Sequence, residues 1–134
     1  YRDAVRAFYD LGCRYLQFDD TSWGEFCDPA KREAYAAEGI DVDQVAKNYV
    51  DAINRILEAK PEDMTITTHI CRGNFRSTWF SSGGYEPVAE VLFGGANYDG
   101  FFLAISPRWR ISATRRWYWA WSRPSSPSWK TRTT

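Results

Sequence analysis

The chain has 134 residues, 17 acidic and 17 basic side chains, a formal net charge of zero, one His and three Cys. That length supports one ordinary core, and no apolar run approaches the ~18 residues that a membrane-spanning helix needs. Three cysteines at unrelated spacings argue against a disulfide scaffold and for a reduced, cytoplasmic setting, and no secretory signal pattern is visible.

The charge balance averages two unlike segments. Residues 1–103 hold all 17 acidic side chains, while 104–134 hold none. The second segment is instead rich in Arg, Ser, Pro and Thr, and most of the seven Trp fall there, at 109, 117, 119, 121 and 129.

Along the chain, Arg2–Asp10 reads as the end of an amphipathic helix with apolar Ala4, Val5, Ala7 and Phe8, stopped at Leu11-Gly12. Arg14–Phe18 is a short aromatic and apolar strand that runs into Asp19-Asp20. Thr21–Pro29 reads as a loop and Ala30–Glu38 as a short helix ended by Gly39. Asp41 or Asp43 can cap a longer helix to about Ala59. Its apolar face is Val45, Ala46, Tyr49, Val50, Ile53, Ile56 and Leu57. Met64–Ile70 is a second strand, Cys71–Gly84 a long loop, and Glu86–Phe93 the start of a helix with Pro87 in its first turn. Tyr98–Ile105 is a third strand.

Strands alternating with helices predict an α/β fold of about three parallel strands joined by crossover helices. Three strands are too few to close a barrel, so exposed sheet edges and a tendency to aggregate are expected. Polar residues gather just after the strands: Asp19-Asp20, then His69, Cys71, Arg72 and Asn74. In α/β barrels that end carries the active site.

The tail, 104–134, reads like the wrong frame. Tryptophan has a single codon, so back-translation is tightly constrained. Reading from the third base of each codon, Tyr118 becomes Val, Trp119 Leu, Ala120 Gly, Ser122 Val and Lys130 Glu. The stretch then resembles a buried parallel strand followed by a charged helix start. We read the chain as leaving its ancestral frame near Ala104, which makes 104–134 a poorly ordered tail. The competing reading is a genuine basic, aromatic arm for nucleic acid or a membrane surface.

The chemistry centres on His69-Ile70-Cys71. At a strand end, side chains two residues apart leave the same face, so an imidazole and a thiolate can form two neighbouring corners of a zinc site. The alternative is a hydrogen-bonded core His beside a structural Cys. Arg72 is a cation beside Cys71 and would favour its thiolate. Asp19 and Asp20 point to opposite sides, and one of them can face the mouth and bind an ammonium group. Trp23 and Trp79 lie where a flat ligand could stack, and core packing suits them equally. Cys13 and Cys27 read as small buried hydrophobes.

The run Tyr15-Leu16-Gln17-Phe18-Asp19-Asp20-Thr21-Ser22-Trp23 resembles the cobalamin-independent methionine synthase family, in its C-terminal catalytic barrel. So do His69-Ile70-Cys71-Arg72-Gly73-Asn74-Phe75 and Gly83-Gly84-Tyr85-Glu86-Pro87. The likeness covers residues 1–103, which it makes a fragment of a TIM-type (β/α)₈ barrel. It implies Zn²⁺ held by His69 and Cys71, a Glu at the end of the next strand, and a late Cys. This chain has Ala104 where the Glu belongs, and no Cys follows Cys71. The implied reaction moves a methyl group from 5-methyltetrahydrofolate (polyglutamate) to the thiol of homocysteine, giving methionine. Asp19 would bind the homocysteine amino group and Glu25 would lie near the pterin. Arg72 and Asn74 complete the candidate substrate-binding residues. No nucleic-acid or membrane partner is implied. The alternatives are a non-catalytic remnant and a related barrel acting on another thiol.

Overall fold

The computed structural model describes residues 1–73, 78 and 80–103, and the backbone of 118–120. Its elements are α1 (Arg2–Asp10), β1 (Tyr15–Asp20), α2 (Ser22–Cys27), α3 (Pro29–Ala37), α4 (Val42–Leu57), β2 (Thr65–Ile70), α5 (Ala89–Gly95), β3 (Gly100–Leu103) and β4 (Tyr118–Ala120). The sheet order is β1-β2-β3-β4. The first three strands are parallel, as the alternation of elements predicts. β4 runs antiparallel to β3, unlike the parallel strand that the reframed residues would make. The rest of 104–134, Ala104 included, lies outside the described residues, as do Asn74 and Trp79.

Register and alternation divide the sheet into two faces. One carries Leu16, Phe18 and Asp20 beside Ile66, Thr68 and Ile70, then Phe101 and Leu103. Ile66, Ile70 and Phe101 share a core with Val5, Trp23, Phe26, Val50, Ile53, Leu57 and Leu92 from the helices. The opposite face carries Tyr15, Gln17 and Asp19 beside Thr65, Thr67 and His69. It is polar, and Tyr15, Gln17, Asp19 and Thr65 on it are exposed.

Local chemistry explains most boundaries. Asp41 caps α4 by accepting from Asp43 N and Gln44 N at 3.0 Å each. The predicted apolar face of α4 buries Ala46, Val50, Ile53 and Leu57, while Tyr49 packs edge-on against Trp23 and Phe26. Asn54 then ties α4 to the end of α5 and the chain after it, donating to Gly95 O and accepting from Asn97 N at 2.8 Å each. Asp99, bonded to Ile66 N at 2.6 Å and to Lys60 Nζ at 2.8 Å, sets β3 beside β2.

Two boundaries correct the sequence reading. Residues 22–27, expected in a loop, form α2, because Asp20 Oδ1 accepts from Ser22 N at 3.0 Å and Trp23, Phe26 and Cys27 bury one side. Pro29 then opens α3, with Asp28 as its cap. The helix expected from Glu86 begins instead at Ala89, after a turn closed by Val88 N to Tyr85 O at 3.0 Å.

Candidate functional site

The C-terminal ends of β1 and β2 bring two predicted residues together. Asp19 and His69 are direct partners in the parallel register, on the polar face of the sheet. Asp19 Oδ1 lies 2.8 Å from His69 Nδ1. The imidazole is mostly covered, with 19% of its side-chain surface exposed, against 64% for the carboxylate. A carboxylate on Nδ1 favours the tautomer with its proton there, which makes Nε2 the ring's acceptor nitrogen.

Cys71 follows β2 two positions after His69 and is half-buried. Gly73 N lies 3.3 Å from its sulfur and donates to it. Gly73 is in the left-handed region, at φ +73°, which turns the chain sharply after Arg72. Among the described residues, no three His, Cys, Asp or Glu side chains gather to hold a metal by themselves. The donor set offered here is therefore one imidazole and one thiol, with Asp19 behind the imidazole. That fits part of a zinc site and leaves it open.

The other predicted residues lie elsewhere. Arg72 is turned inward, 3% exposed, with its guanidinium over the Tyr85 ring at 4.3 Å. Its Nη1 donates to Gly24 O at 3.1 Å and Ser82 O at 3.2 Å. The side chain bears on Cys27 rather than on the polar face: burial pushes the Cys27 thiol up, against the pull of Arg72. Glu25 accepts from Tyr35 OH at 2.6 Å and pairs with Lys31 at 3.5 Å, which joins α2 to α3. Asp20 faces away from Asp19, and burial raises its carboxyl above the usual range, opposed by its bond from Ser22. Trp23 is fully buried and belongs to the core.

Sequence reasoning missed Asp28. Its carboxylate caps α3 through Oδ1, at 3.0 Å from Ala30 N and 3.3 Å from Lys31 N. Oδ2 accepts from Ser82 N at 2.6 Å and Ser82 Oγ at 3.0 Å. Those bonds, Ser82 N first, hold the carboxyl below its ordinary value despite burial. The signal was present in Asp28-Pro29, a cap followed by a first-position proline.

No protein-family model matches the chain. Among curated proteins, it is 52% identical over 103 residues to the uncharacterized protein YxjH of Bacillus subtilis (strain 168), and 47% identical over the same length to the uncharacterized protein YxjG. Each match covers 77% of this chain and 27% of the relative, so the chain spans about a quarter of the length of the curated proteins it matches. A solved structure, the "putative vitamin-B12 independent methionine synthase from Listeria monocytogenes", is 46% identical at a TM-score of 0.57. It is matched over 75% of this chain and 26% of its own.

Proposed function

We propose that the chain carries part of the catalytic barrel of a zinc-dependent methyltransferase. The methyl group would pass from 5-methyltetrahydrofolate, as its polyglutamate, to the thiol of homocysteine. The observation that carries this reading is the Asp19–His69 pair across β1 and β2 with Cys71 two residues beyond. The likeness to a protein described as a methionine synthase supports it.

His69, through Nε2, and Cys71, through its sulfur, would hold the zinc. When bound, the metal supplies the acidity that keeps an acceptor thiol as thiolate at neutral pH. Asp19 orients the imidazole and fixes its tautomer. The exposed part of the Asp19 carboxylate would meet an ammonium group arriving on the polar face. Residues 74–77, 79 and 104–134 hold no His, Cys, Asp or Glu, so in this proposal the further donors would be the acceptor thiol and water, and Ala104 cannot be one of them.

A second reading is a non-catalytic remnant, favoured by the absence of a three-donor group among the described residues. Zinc binding in the presence and absence of homocysteine separates the two. Zinc affinity that rises with homocysteine, and does so only with His69 and Cys71 intact, supports the methyltransferase reading. Zinc binding indifferent to homocysteine supports the remnant.

A further inference from the structure

We propose that Asp28 is a positioning residue for Cys71, acting with the buried Arg72 guanidinium as a clamp on the chain that leaves β2. The proposal rests on the metal-binding reading above, because Cys71 is the thiol it positions. Four contacts define the clamp. Cys71 passes tightly over α2: a Cβ on Gly24 would come within 2.7 Å of Cys71 O. Arg72, next in the chain, anchors to Gly24 O from within the interior. Its own carbonyl accepts from Phe80 N at 2.8 Å and Ser81 N at 3.1 Å, which brings the returning chain back against it. Ser82 is then gripped from both sides, its carbonyl by Arg72 and its N–H and hydroxyl by Asp28.

Asp28 is the group that makes this arrangement specific. One oxygen satisfies the first amides of α3 and the other satisfies Ser82, so a single carboxylate joins the helix start to the returning chain. A buried anion needs that many donors, and here every donor is an N–H or O–H of the two segments. Close approach seals the joint: at Gly83, with φ +90°, an added Cβ would collide with Cys27 O. The two charges reach Cys71 only through the backbone, and neither sits on the polar face beside Asp19.

The test compares the full chain with Asp28→Asn, which keeps the size but puts an amide nitrogen where one of the two oxygens accepts. Cobalt(II) titration reads the sulfur-to-cobalt charge-transfer band. Iodoacetamide labelling, resolved by peptide mass, reads the reactivity of Cys71 with no metal present. With circular dichroism unchanged, Asp28→Asn, which reaches Cys71 only through Ser82 and Arg72, is expected to weaken cobalt binding by up to about 10-fold, the low end of the range for direct partners of metal ligands. It is also expected to speed alkylation of Cys71 while Cys13 is unaffected. Should Asp28→Asn fail to fold, Ser82→Ala, which removes only the hydroxyl bond, is read for the same directions of change. If the native chain takes up no cobalt, the metal reading falls. The clamp is then judged on Cys71 alkylation and on hydrogen exchange of the Phe80 and Ser81 amides. A folded variant with native alkylation and exchange rates overturns the clamp.

Discussion

Asp19 and His69 stand directly opposite each other on neighbouring parallel strands, and their side chains meet at 2.8 Å on the polar face of the sheet. The pair is made by register. A slip of one residue would send one side chain to the core face, where Asp20 sits on β1. Asp19→Asn should leave the fold intact, since the carboxylate is largely exposed. Zinc affinity should fall by about 10–100-fold, as for other carboxylates behind a liganding imidazole. Competition with a chromophoric chelator measures it.

The core under β2 is tight. Ile66 and Ile70 are fully buried, together with Trp23, Met64 and Leu92. Ile66→Val should destabilise the fold by about 0.5–1.5 kcal/mol, the usual penalty for one buried methylene. The shift of the urea midpoint, at unchanged slope, checks it.

Gly83 is committed by its backbone and by its neighbour. Its φ of +90° disfavours any side chain, and a Cβ there would strike Cys27 O. Gly83→Ala should therefore destabilise by more than ~1 kcal/mol. Gly39, at φ +79° with nothing near its missing Cβ, should show only the conformational part of that loss. A paired urea titration of the two variants separates strain from collision.

The buried Asp28 carboxyl and the half-buried Asp20 carboxyl predict opposite responses to acid. The Asp28 carboxyl is held down in the folded chain by its bonds from Ser82. Its stabilisation is complete above the ordinary value of 3.8 and is lost as pH falls from there through the lower folded value. The Asp20 carboxyl is raised by burial, so its protonated form favours the fold and its charged form opposes it as pH rises. Asp28→Ala should flatten the acid limb of the stability profile. Asp20→Asn, which keeps an oxygen for Ser22 N, should raise stability at neutral pH. Urea midpoints taken from pH 3 to 7 test both directions.

What the sequence revealed follows the range of the interactions involved. α4 was legible because its cap and its apolar spacing are both local. The three parallel strands followed from the alternation of elements. α2 was hidden, because six residues with a central glycine carry little helical signal, and it forms by burying Trp23 and Phe26 against α4. His69 and Cys71 stood out through their two-residue spacing. Asp19 stood out at the end of β1 as well, but its pairing with His69 did not, because the two lie 50 positions apart and register alone unites them. Arg72 misled for the opposite reason. Adjacency to Cys71 suggested a shared environment, yet neighbours in an extended segment point to opposite sides, and Arg72 went inward. Glu25 likewise found Tyr35 and Lys31 on the next helix, a contact that only the packing of α2 on α3 creates.

If His69 and Cys71 together hold zinc at the ends of β1 and β2, each must contribute to its affinity. Zinc competition titrations of the native chain, His69→Ala and Cys71→Ala test it most directly, with circular dichroism to confirm that all three fold alike. One bound zinc per native chain is expected, with a loss of affinity of about tenfold or more in each variant, the scale on which lesser changes around metal sites act. Equal zinc affinity in all three folded chains would contradict it.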